Sequence, residues 1–539
     1  MAEPGLPQHI QALLSAEAYP HAVDAIELRQ THISYVLLAG DTVYKLKKPL
    51  DLGFLDFTTL EKRRHFCEAE VRLNSRLCAD TYLGVVPVVE RDGRVSIEGD
   101  GEVLDWAVKM RRLPENGMLH HHLESGSVTT EMIALLAHRL AEFHESSERS
   151  GEIDRYGGLE TVAANWHENF EQTEAYVGRT ITRPQFDEIR AFVENVAEED
   201  ADLFELRVRE GRARDCHGDL RADAVCFVAD GVCIFDCIEF NERFRYSDVA
   251  SDIAFLAMDL EYRGRRDVSD ELMTRYLGAT LDSTLPLLLP FYKCYRAYVR
   301  GKVDGFQLDQ PEVAEEQRRE AAQRARRYFE LAHEYATGLT ERTLIITAGV
   351  TGSGKSYLAN ALAARLGAFI LSSDVARKRL LGIDPREAHI EAFGQGIYRA
   401  EVTERTYEAL IEGGRPWLQR GKPVILDATF LRRDQRQAAM RLAYETNARF
   451  LTVECEAEES VVWERLSERR GDARVVSDGR WEVYQAQQEG REPFDELPVG
   501  SHMVVDTAQP LRMQIAGVVA HLEREGENAD RTNDRAEGV

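Results

Sequence analysis

The spacing of apolar and polar positions changes period near residue 343. Before that point, short apolar runs at 33–38, 43–46, 85–89, 95–97 and 104–110 predict strands, with hairpin turns at Gly40-Asp41 and Asp92-Gly93. One helix, over 60–77, interrupts them. From Thr129 to about Leu206 the spacing is helical, as in Ile133, Leu136, Leu140 and Phe143. A strand pair at 225–228 and 232–235 turns at Asp230-Gly231, and helices resume over 249–300. The charged stretch 311–337 predicts a long solvated helix connecting two halves. Beyond it strand and helix alternate, with strands at 344–348, 368–371, 423–426, 450–455 and 503–505. That alternation predicts a parallel α/β sheet.

Length agrees with this division, because 539 residues are too many for one core. The expected organisation is an α+β domain over 1–310, a helical connector over 311–342, an α/β domain over 343–527, and a polar, disordered tail over 528–539. A formal net charge of -26 repels nucleic-acid backbones and ranks small molecules above nucleic acid as substrate. The N-terminal residues do not read as a signal peptide. The most apolar run, 285–292, breaks at Lys293, so no membrane span is expected. The eight cysteines form no CxxC pair. Cys233 and Cys237 read as reduced, buried thiols, which suggests a cytoplasmic setting. The pattern leaves the oligomeric state open.

The strongest chemical signal is Gly349-Val350-Thr351-Gly352-Ser353-Gly354-Lys355-Ser356, between a buried strand and a helix. Glycines at this spacing let backbone N–H groups wrap phosphates at a helix N-terminus. Lys355 would reach the β/γ-phosphates of ATP, and Ser356 a Mg²⁺ ion. The next strand is expected beside this one and ends at Asp374, which either takes a proton from a substrate hydroxyl or caps the helix it opens. Arg377, three residues on, can hold an acidic or phosphorylated acceptor. The third strand ends at Asp427, in a Walker-B arrangement for Mg²⁺. Arg465 and Arg469 share a helix face; they either close over the transferring phosphate or form a solvated face of Glu–Arg pairs. These elements resemble the P-loop kinases related to gluconate kinase, phage polynucleotide kinase and zeta-toxin-like enzymes. That resemblance implies a phosphotransferase whose acceptor varies among members.

A second constellation lies upstream: His217-Gly218-Asp219, Ile234-Phe235-Asp236, Asp252, and Lys45 and Lys47 on one strand face with Glu70 in the following helix. It resembles the aminoglycoside-phosphotransferase branch of the protein-kinase-like fold. By that resemblance Asp219 is the base, Asp236 a Mg²⁺ ligand, Lys45 or Lys47 the ATP lysine with Glu70 its partner, and Asp252 a supporting residue. The family's Asn seven residues after the His is absent; Ala224 stands there, preceded by Asp223. Either Asp223 substitutes or this half is a pseudokinase. The whole layout is similar to a bacterial family described as bifunctional aminoglycoside phosphotransferase/ATP-binding proteins, with Val43–Pro49 and the run 240–252 carrying the closer likeness.

The reading that follows is an ATP- and Mg²⁺-dependent kinase acting on a small-molecule hydroxyl, with the P-loop half as the active centre. Two alternatives stand beside it: a nucleotide-regulated sensor with a pseudokinase lobe, and a polynucleotide or nucleotide-sugar kinase.

Overall fold

The computed structural model describes residues 5–311, 313–338, 340–387, 395–469 and 481–537, the side chains of 469 and 526–537 excepted. The chain divides into two compact units, residues 1–165 with 204–259, and residues 166–203 with 260–539.

The first unit is built on an antiparallel sheet of β1 (Ile26–Gln30), β2 (Ser34–Ala39), β3 (Thr42–Lys47), β4 (Tyr82–Arg91), β5 (Arg94–Ile97) and β6 (Glu102–Arg111). The strand order is β1-β2-β3-β6-β4-β5. Alternating apolar positions such as Leu37, Tyr44, Leu46, Val88 and Ala107 fill one core beneath the sheet. Helix Leu60–Asn74, capped by the Thr59 hydroxyl, lays Cys67 and Leu73 inward and carries Glu70 on the same buried side. Two small ribbons follow. β7 (Ala213–Asp215) pairs with β10 (Tyr246–Asp248), and β8 (Val225–Val228) pairs with β9 (Gly231–Ile234). β1, β7 and β10 escape the hydrophobic pattern, because β1 is a mostly exposed edge and the other two have three residues each.

The expectation of reduced thiols needs correction at Cys233. It is bonded to Cys78, with Cα atoms 4.8 Å apart, while Cys237 is a free buried thiol. Residue spacing could not reveal this pair, since 155 positions separate its members.

The second unit holds a parallel sheet of β11 (Thr343–Ala348), β12 (Phe369–Ser372), β13 (Val424–Asp427), β14 (Arg449–Glu456) and β15 (His502–Asp506), in the order β12-β13-β11-β14-β15. Helices cover both faces. Helices Ala400–Gln419 and Arg433–Glu445 bury Leu410, Leu418, Ala439 and Leu442 on one face, and helix Lys355–Leu366 buries Leu358 and Leu362 on the other. The strand ending before Asp374 is not beside the P-loop strand as expected. β13 intervenes, so Asp427 belongs to the neighbouring strand and Asp374 to the one beyond.

Helix Glu315–Thr337 is not a solvated connector. Ala321, Ala325, Phe329, Ala332 and Ala336 form a buried stripe along it, and a Cβ on Gly301 would lie 3.0 Å from the Phe329 ring. Small alanines at helical spacing were masked by the surrounding charge. The last helix, Leu511–Glu537, includes most of the stretch expected to be a tail. No helix among the described residues is long and apolar enough to cross a membrane.

Candidate functional site

β11 delivers the chain into a loop where Gly349, Gly352 and Gly354 have φ of 130°, 79° and 86°. Space restricts two of them further. A Cβ at Gly349 would lie 2.5 Å from the Cys455 carbonyl oxygen, and one at Gly352 would lie 2.8 Å from Val462. Lys355 begins the following helix, and its Nζ donates to the Val350 carbonyl at 2.7 Å. Behind it, Thr347 donates to the Asp427 carboxylate at 3.0 Å, and Ser356 bonds the same group. Burial pushes the Asp427 carboxyl above its ordinary range, although Ser356, Lys355 and Thr347 all oppose that shift. The Ser353 hydroxyl is buried without a partner. A lysine, a helix N-terminus, a hydroxyl–carboxylate pair and an unsatisfied buried hydroxyl suit a nucleoside polyphosphate with its divalent cation.

This loop forms one wall of a cavity of about 400 Å³ whose lining also includes Asp374, Arg377, Tyr398, Tyr407 and Gln487. Ser372, not Asp374, caps helix Ser373–Leu380: its hydroxyl accepts from the Asp374 backbone N–H at 3.3 Å. The Asp374 carboxylate is left to pair with Arg377 at 3.0 Å, and the guanidinium lies 4.7 Å from the centre of the Tyr398 ring. Tyr407 donates or accepts at Thr429 and accepts from the Phe430 N–H, which fixes the far wall. The sequence pattern gave no sign of Tyr398, Tyr407 or Gln487, whose spacing is that of ordinary helix residues.

Arg465 and Arg469 fare differently. Arg465 donates to the Thr507 hydroxyl at 2.9 Å and the Thr507 carbonyl at 2.7 Å, and it does not line the cavity. The Arg469 side chain lies outside the described residues.

In the first unit, both lysines of β3 meet Glu70. Lys45 Nζ is 2.9 Å from Glu70 and 2.6 Å from Asp236, whereas Lys47 is enclosed between Glu70, at 2.7 Å, and Glu239. The Lys45 ammonium pulls the Asp236 carboxyl down to about 2. Asp252 accepts from the backbone N–H groups of His217 and Gly218 at 3.0 and 2.8 Å, and pairs with His144 at 3.1 Å, which pins the loop bearing Asp219. Arg221 forks onto both oxygens of Asp219, at 2.9 and 3.0 Å. Ala224 is buried and offers no ligand, while Asp223 faces Arg221 at 3.5 Å and His120 at 3.4 Å.

Comparison with known proteins matches a family to each half of the chain. The family described as "Phosphotransferase enzyme family" matches residues 64–287, and the one described as "AAA domain" matches residues 344–494. With a kinase-type domain in each half, the protein is an ATP-dependent phosphotransferase. An uncharacterized protein of Mycobacterium tuberculosis (strain ATCC 25618 / H37Rv) is 33% identical over 446 residues, covering 83% of this chain and 86% of its own length, and a Mycobacterium bovis protein matches equally. The chain belongs to their family, bacterial two-domain proteins with an aminoglycoside-phosphotransferase-like domain followed by a P-loop kinase-like domain. Among solved structures, a gluconokinase from Sinorhizobium meliloti 1021 is 24% identical, with a TM-score of 0.26, over 35% of this chain and 97% of its own. A choline/ethanolamine kinase family protein from Mesorhizobium loti is 12% identical, with a TM-score of 0.34, over 58% and 92%.

Proposed function

We propose that the P-loop centre is the active one, and that it transfers the γ-phosphoryl group of ATP to a hydroxyl of a small molecule. The observation that carries this is the shared lining of one cavity by Lys355, Ser356 and Asp427 on one side and Asp374 and Arg377 on the other. Loop amides and Lys355 hold the phosphates and stabilise charge on the transferring group. Ser356 and Asp427 would hold Mg²⁺, which supplies charge neutralisation on the phosphate oxygens. Asp374 accepts the proton of the acceptor hydroxyl as its oxygen attacks the γ-phosphorus; the bond to the β-phosphate oxygen breaks and ADP leaves. Arg377, held by Asp374 and Tyr398, faces the acceptor. The net charge of -26 favours a small acceptor over a polynucleotide.

The test is transfer of labelled phosphate from ATP to a panel of sugars, polyols and amino alcohols by the full chain. Transfer that disappears in Lys355→Ala supports the proposal. Transfer that survives there and disappears in Asp219→Asn would move the active centre to the other unit.

A second reading concerns the first unit: it binds nucleotide but turns it over slowly or not at all. Ala224 removes a metal ligand, and Arg221 neutralises the carboxylate expected to act as base. Lys45, in reach of both Glu70 and Asp236, is then the nucleotide lysine, and Lys47 is structural.

A further inference from the structure

Helix Trp481–Glu489 brings Gln487 to the cavity wall, where its side-chain Oε1 accepts a hydrogen bond from the backbone N–H of Thr351 at 2.7 Å. Thr351 is inside the glycine loop, four residues ahead of Lys355. Amide N–H groups of such a loop are the donors that cradle phosphate oxygens. A side-chain carbonyl on one of them occupies a position that a phosphate oxygen would take. The inner phosphates belong to the helix N-terminus at Gly354–Ser356. The transferring phosphate must lie between that terminus and Asp374, in the cavity that Thr351 and Gln487 both line.

We infer that Gln487 gates the site for the terminal phosphate: its carbonyl holds the Thr351 N–H until the γ-phosphate of a nucleoside triphosphate displaces it. This rests on the proposed nucleotide-binding role of the loop. The gate is a side chain on a fixed support. Tyr484, one turn earlier on the helix, is buried in one apolar cluster with Val350, Leu431, Val462 and Leu466, which joins the helix to the loop's own valine. Trp481 stacks on Tyr484 with ring centres 4.7 Å apart, and Gln488 donates to the Tyr484 hydroxyl at 3.1 Å. Removing the Gln487 amide therefore leaves the helix seated. A diphosphate, which ends short of this N–H, has no need to displace the gate.

Calorimetric titration of the full chain with AMP-PNP and with ADP, both with Mg²⁺, tests this. Gln487→Ala should tighten AMP-PNP about three- to tenfold, the worth of one hydrogen bond no longer to be broken, and change ADP affinity less than about twofold. Gln487→Glu keeps an acceptor on the N–H and adds a negative charge, so it should weaken AMP-PNP by about tenfold or more. Unchanged or weaker AMP-PNP binding in Gln487→Ala, or an equal change for ADP, overturns the gate. If the unaltered chain binds neither nucleotide, the loop's proposed role fails and the gate with it. Binding that is lost in Lys355→Ala yet indifferent to both Gln487 substitutions sinks the gate alone, whereas binding that survives Lys355→Ala belongs to the first unit and fails the loop's proposed role.

Discussion

Asp427 and Asp236 are the candidate metal ligands of the two units, one at the end of its strand and the other two residues past the end of its own. Their electrostatics run in opposite directions. Asp427 has 4% of its surface exposed, and burial raises its carboxyl; its near partners are two hydroxyls and a lysine whose Nζ is bonded to Val350. Asp236 has a side chain 55% exposed and is paired with Lys45, which lowers it. A buried carboxylate short of positive charge gains most from a divalent cation. A carboxylate already neutralised by an ammonium gains less, because the cation must compete with that partner. On the proposed reading, the second unit gains more from Mg·nucleotide than the first, whose carboxylate already has a cation beside it. The same contrast holds for the two candidate bases: Asp374 shares one oxygen with Arg377, whereas Arg221 covers both oxygens of Asp219.

The largest expected effect breaks this comparison if it fails. Lys355→Ala should bring Mg·ATP turnover by the full chain to background while leaving the fold intact, since its ammonium serves the phosphates and carries no core packing. Steady-state turnover is the measurement, and a rate near that of the unaltered chain would give the chemistry to the first unit. Asp374→Asn should lower transfer to the acceptor by about 10²–10⁴ while nucleotide affinity persists. Helix capping stays with Ser372, so a matching loss in a nucleotide titration would make Asp374 structural instead.

The two lysines of β3 separate next. Lys47→Met leaves Glu70 and Glu239 buried without their shared cation and should cost about 3–5 kcal/mol in chemical denaturation. Lys45→Met should cost less, because Asp236 remains half in water, and it should be the one that weakens nucleotide binding to the first unit. The reverse ranking would exchange their roles.

Much of this was legible in the sequence, and the gaps have physical causes. The strands of the parallel sheet and the glycine loop show in the pattern because a buried parallel strand is an unbroken apolar run and the loop has a fixed spacing. Strand order is not written in such runs, so the place of Asp374 one strand farther from the P-loop had to come from the structure. The Arg465–Arg469 face was visible as periodicity, but periodicity cannot say that Thr507, 42 positions away, captures the Arg465 guanidinium. Lys45 and Lys47 look alike on one strand face; only the burial of Lys47 against Glu239, 192 positions on, separates them. Gln487 had no signal at all, since a Gln beside Gln485 and Gln488 on one helix reads as surface.

A smaller effect sharpens the contrast between the two candidate metal-site aspartates. The raised Asp427 carboxyl means that its ionised form costs the folded state stability, a cost that sets in as pH rises through the carboxylate range and persists at neutral pH. Asp427→Asn keeps the shape and the Thr347 bond and removes the charge. Without Mg²⁺ and nucleotide it should raise the thermal midpoint of the second unit, while lowering Mg-dependent turnover. A fall in that midpoint would mean that the carboxylate is already compensated, and the contrast with Asp236 would collapse.

The smallest effect belongs to Asp236, and its sign is opposite. Its carboxyl is lowered to about 2, first by Lys45, so its ionised form stabilises the fold. That contribution is fully present above the ordinary carboxylate value near 4 and is lost as pH falls toward 2. The side chain is more than half exposed, so water screens the pair, and Asp236→Asn should cost no more than about 1 kcal/mol at pH 6. Glu70 retains Lys45 at 2.9 Å in the variant, which limits the loss further. Denaturant midpoints of the first unit's transition, followed from pH 6 to pH 2, should converge for Asp236→Asn and the unaltered chain at the acid end. A gap that stays constant or widens on acidification would show that Asp236 acts through something other than its charge on Lys45. It would then lose its standing as the pre-neutralised counterpart of Asp427.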